Sequence, residues 1–227
     1  MVEPTPNAEL LGSLARLVRG LSALFWGLPM ALIVCVWTAN PHWLKSFGII
    51  PPLVATALPV YGLRMLGGFQ KQERVWRAAL DRSLLLSVII FGLSPFLYWW
   101  SNMPANDFFL VMVILEALSA LLFLGSLNLM LQRLGAMLPD EALRIEIKQF
   151  TPLNLNLLVF TLVLALVWFS LSFFRTLPLW LSTVAKIMER GSFWFIIPLI
   201  LLPLAMTMAL LWKTKEVILD SVFGGQR

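Results

Sequence analysis

Long apolar stretches alternate with short polar ones along the whole chain. Six of them, residues 21–39, 47–66, 83–100, 108–131, 153–174 and 193–212, carry almost no charge. The hydrocarbon core of a bilayer is about 30 Å thick, which a helix crosses in roughly 20 residues. Each stretch is therefore predicted to be a transmembrane helix, since backbone polar groups in lipid must be satisfied within their own segment. The expected fold is all-α and integral to the membrane. It is a single domain over residues 1–227, a polytopic bundle of about six transmembrane helices.

The polar breaks refine this picture. Ahead of the first span, Leu10, Leu11, Leu14, Leu17, Val18 and Leu21 recur at helical spacing, with Arg16 and Arg19 between them. That pattern fits a short interfacial amphipathic helix and fits equally a plain extension of the span. Asn40, Pro41 and His42 end span one, and Trp43 suits a headgroup-level anchor. Span two holds Pro51, Pro52 and Pro59, and span six holds Pro198 and Pro203. A bundle tolerates them where neighbours satisfy the freed carbonyls. Span three closes on Tyr98, Trp99 and Trp100, an aromatic belt.

Residues 67–82 and 132–151 read as polar linkers, with Asp140 a candidate cap for a short helix in the second. Residues 175–190 place Leu177, Trp180, Leu181, Val184 and Ile187 on one side, so this segment is expected to lie along the outer surface. The tripeptides Ile49-Ile50-Pro51 and Ile196-Ile197-Pro198 open spans two and six alike. Apolar segments resemble one another by composition, and chance explains this better than an internal repeat. Small-xxx-small motifs are sparse, and the spacing from Gly20 to Gly27 reads as too loose to be one, so tight helix dimerisation is not signalled.

Composition supports a membrane protein. Of 227 residues, 59% are hydrophobic and 13% charged, and mean hydropathy is +0.85. A soluble domain is about a quarter charged, and this chain has too little polar surface to cover its apolar segments in water. The net charge of +5 does not indicate nucleic acid, because the cations sit between hydrophobic runs, where they meet anionic lipid headgroups and set orientation. Arg16 and Arg19, then Arg64, Lys71, Arg74, Arg77 and Arg82, then Arg133, Arg144 and Lys148, and finally Lys213, Lys215 and Arg227 fall on the side of the N-terminus. Only Lys45, Arg175, Lys186 and Arg190 fall opposite. This bias predicts both ends inside the cell. The first run also resembles a signal peptide, but at about 28 Å it is long enough to span, and Trp37 occupies a place where cleavage wants a small residue.

Candidate chemistry is scarce. Glu116 lies about nine residues into span four, and an ionisable group at that depth is by default a functional-site hypothesis. Ser119 and Ser126 fall within about 80° of it around the helix, forming a polar stripe expected to face protein. Asn154 and Asn156 are neighbours only if the helices are staggered. The competing reading is a carboxyl that holds helices together, and no second membrane-embedded acid or buried cation argues otherwise. His42 is the sole histidine and Cys35 the sole cysteine, so neither a multi-ligand metal site nor an intrachain disulfide is expected. There is no Ser/His/Asp set, HExxH, GxSxG or phosphate-binding glycine loop, and the loops are too short for a soluble catalytic module. No cofactor is expected.

The sequence thus leaves two functions open. The first is a non-catalytic subunit, anchor or scaffold in a larger membrane assembly, with protein partners or self-association. The second is a small transporter or channel using the carboxylate of Glu116 and the proline-broken spans. Compact size, short loops and the lack of glycosylation sequons point to the bacterial inner membrane.

Overall fold

A computed structural model describes residues 6–39, 47–70, 73–138, 140–173 and 179–223, with side chains described for residues 12–39, 47–70, 73–138, 140–167 and 198–220. The break at Asn40, Pro41 and His42, the Trp43 anchor and the side chains of residues 175–190 fall outside these. The described residues form α1 (Pro6–Ala39), α2 (Ile50–Leu66), α3 (Arg74–Leu93), α4 (Pro95–Asn102), α5 (Asp107–Met137), α6 (Glu141–Phe173) and α7 (Leu179–Phe223), with no strand among them. Four helical stretches are long and apolar enough to cross a membrane, Gly12–Ala39, Arg74–Asn102, Asp107–Met137 and Glu141–Val167, and Ile50–Leu66 is a shorter apolar helix. The all-helical membrane reading therefore holds.

The helices run past the limits that hydropathy set for them. The stretch before span one is continuous with it in α1. Most of the linker at 67–82 is the first turns of α3, where Trp76, Leu80, Ser83 and Ser87 are buried at helical spacing. Hydropathy misses such turns because their outer faces are charged while their inner faces pack. The linker at 132–151 likewise reduces to a tight connection between α5 and α6. Asp140 does act as a cap, its Oδ1 accepting the Leu143 amide at 3.1 Å, but for a helix of 33 residues. The connection closes as Arg144 donates to the Leu138 carbonyl and Leu138, Leu143 and Ile147 bury together. Residues 179–190 do not form a separate surface helix. They belong to α7, 45 residues in one element, because a single Gly191 costs a helix only about 1 kcal/mol and does not end it.

Span three, in contrast, divides. Pro95 has no N–H to continue the helix, so α3 stops at Leu93. The Ser94 amide bonds the Ile90 carbonyl at 2.9 Å, and Ser94 Oγ lies 3.3 Å from Thr56 Oγ1 of α2.

The most extensive helix pair is α1 against α2, and glycine makes it possible. A Cβ on Gly20 would stand 2.8 Å from the Gly62 carbonyl oxygen, and one on Gly62 would stand 2.9 Å from that of Gly20. Two turns on, a Cβ on Gly27 would stand 3.1 Å from Leu58 Cβ and 3.2 Å from Pro59 Cδ. The spacing is not a small-xxx-small motif, as expected, but seven residues return to nearly the same face, drifting by only about 20°. The two glycines form one seam within the chain. The buried core gathers at the end holding this seam, with Leu17, Leu21, Leu66, Trp76, Leu134, Leu143, Ile147 and Ile218 at or near zero exposure.

Candidate functional site

Glu116 is buried within α5, with 5% of its surface exposed. The thiol of Cys35, on α1, donates to its Oε1 at 3.9 Å. Its Oε2 has no partner among the described residues. The polar stripe predicted around it does not assemble into one site. Ser119 Oγ bonds the Leu115 carbonyl of its own helix at 2.7 Å. Ser126 Oγ bonds the Phe123 carbonyl at 2.9 Å and faces Ser83 Oγ of α3 at 3.2 Å. A serine that returns its hydrogen bond to its own turn leaves little for a neighbour.

Asn154 does not approach Glu116 either, and Asn156 is exposed. Asn154 instead joins Asn128 of α5 and Thr207 of α7 in a polar knot, all three wholly buried. Its Nδ2 lies 3.0 Å from Asn128 Oδ1, 3.1 Å from Thr207 Oγ1 and 3.3 Å from the Pro203 carbonyl. Asn128 Nδ2 donates to Thr207 Oγ1 at 2.9 Å and to the Leu124 carbonyl at 2.8 Å. Thr207 Oγ1 donates to the Pro203 carbonyl at 2.8 Å. Twelve residues of α5, about 18 Å of helix, separate this knot from Glu116.

Each helix contributes for a local reason. Asn128 sits among Leu124, Leu127 and Leu131, all buried, so its amide has no route to water and must bond across helices. Pro203 removes the N–H that would have reached the Leu199 carbonyl, and Thr161 Oγ1 of α6 lies 3.4 Å from that oxygen. Sequence reasoning passed over Asn128, Thr161 and Thr207. The available signal was spacing: Asn154 and Thr161, like Thr207 and Thr214, lie seven residues apart and share a face.

At the foot of α6 and α7, Glu146 and Lys213 form an ion pair. Both side chains are partly exposed, so the pair contributes about 1 kcal/mol or less. Among the described residues, no three of His, Cys, Asp or Glu gather as metal ligands would. The interior is therefore a set of small helix-to-helix polar contacts, with one carboxyl left largely unmatched. No family model matches the chain, no curated protein is significantly similar to it, and no solved structure matches it.

Proposed function

We propose that the protein is a non-catalytic component of a larger membrane assembly, a subunit, anchor or scaffold. It crosses the bacterial inner membrane six times and keeps both ends in the cytoplasm. The carrying observation is that α1, at 34 residues, is longer than a bilayer-crossing helix and that the best-buried part of the core gathers toward its N-terminal half. At 1.5 Å per residue α1 is about 51 Å long, against about 30 Å of hydrocarbon. The buried cluster of Leu17, Trp76, Leu134, Leu143, Ile147 and Ile218 lies toward that end. A rigid helical platform at the membrane surface suits docking of a partner protein.

Charge supports the same reading. Arg74, Arg77, Arg144, Lys148 and Lys215 stand on the helix ends that form the platform, where anionic lipid headgroups and an acidic partner surface would meet them. Gentle extraction from the native membrane followed by native mass spectrometry tests this. Stoichiometric foreign subunits are expected. A lone monomer or homo-oligomer would sink the reading.

A second reading, ion transport at Glu116, draws on one feature: the Oε2 oxygen is buried without a partner among the described residues. An intramembrane carboxyl of that kind marks an ion or proton path in many transporters.

A further inference from the structure

Among the described residues, the buried threonines follow one rule with one exception. Thr38, Thr56, Thr161, Thr207 and Thr214 each donate to the carbonyl four residues back, at 2.7 to 2.8 Å. Thr151, only 1% exposed, does not, and its Oγ1 has no partner among the described residues. One turn further along α6, Asn154 Oδ1 is equally without a partner and wholly buried. The two amide hydrogens of Asn154 are shared among three acceptors of the knot, which turns the carbonyl end of its dipole away from them. Between the two residues lies Pro152. Its missing N–H deprives the Lys148 carbonyl, one turn earlier, of its usual helical donor. A hydroxyl and a side-chain carbonyl, each buried without a partner among the described residues, thus lie one turn apart on α6, next to a peptide carbonyl whose usual helical donor the proline removes.

Leaving such oxygens bare costs about 1–3 kcal/mol each, and native interiors rarely do so. The donor set is all oxygen and all neutral. Hard oxygens of this type take alkali and alkaline-earth cations rather than thiophilic metals. The absence of a carboxylate from the set favours a single charge over a double one. The nearest acid along α6, Glu146, is already paired with Lys213.

We propose that Thr151, Asn154 and the Lys148 carbonyl form a binding site for a monovalent cation of sodium size, just inside the bundle from the platform end. The ion would complete the α5–α6–α7 knot and lock the α6 proline break. The site is independent of the assembly reading, since an isolated chain would carry it.

The test is thermal unfolding of the purified full chain in sodium chloride against choline chloride at equal ionic strength, over a millimolar concentration series. Sodium is expected to raise the midpoint in a saturable way. Thr151→Val keeps the shape and removes one oxygen. It should weaken the apparent sodium affinity about tenfold while leaving the midpoint in choline unchanged or higher. Thr151→Ser, which restores an oxygen, should recover the sodium response. A wild-type midpoint indifferent to sodium would overturn the proposal whatever the variants do. A loss of equal size in both salts for Thr151→Val would also overturn it, and would assign the position to a buried water.

Discussion

A carboxyl buried in a bundle is held in place by partners or it strains the bundle, and Glu116 has few partners. One thiol contact at 3.9 Å is weak for an oxygen acceptor, and the second oxygen is bare among the described residues. The helix-gluing role considered from sequence rests, among the described residues, on this one contact between α1 and α5. Replacing an unmatched buried polar group by an apolar one of similar size is neutral or stabilising. Glu116→Leu is expected to raise the unfolding midpoint in detergent, and Glu116→Gln to change it little. A clear fall for both variants, in native lipid as well, would mean that the carboxyl binds something there and would favour the transport reading.

Between elements, the decisive contacts are made by the smallest residues. The α1–α2 seam depends on the mutual approach of Gly20 and Gly62, where even a methyl group meets backbone oxygen. Gly62→Val should cost about 1–3 kcal/mol by overpacking. Gly92→Ala, on α3, is the control. A Cβ there meets nothing within 4 Å, and the change should stabilise by about 0.4–1 kcal/mol through the unfolded chain. Equal effects of the two substitutions on the melting midpoint would show that the seam is not the close contact described. The prolines tell a related story: Pro203 frees a carbonyl and Pro95 ends a helix, and a threonine from the facing helix stands at each break.

For the molecule as a whole, the proposed orientation rests on where the cations lie, a bias that the translocation machinery reads directly. In a Cys35→Ser background, Ala105→Cys should react with an impermeant maleimide added outside intact cells. Gly68→Cys and Glu141→Cys should react only after permeabilisation. The reverse pattern would invert the topology and move the platform to the other face of the membrane. Long-range packing would be untouched, since the helix pairs and the buried core do not depend on which face is which.

Several features of this protein were legible in the residues alone. Its apolar runs identify a helical membrane protein, because transfer into lipid depends on local composition and length. Asp140 announced a helix start, since a cap acts within three residues. The tertiary structure decided what those local signals do not contain. Amphipathic turns of α3 and α5 look like linkers until a partner buries one face. Gly20 and Gly27 look unrelated until α2 lies against both. Asn128 and Asn154 are 26 residues apart and become one knot only when α5 folds back on α6. Glu116, the residue that stood out most in sequence, was left nearly alone, because which helix faces which is set by packing across the whole bundle and not by the chemistry of any one segment.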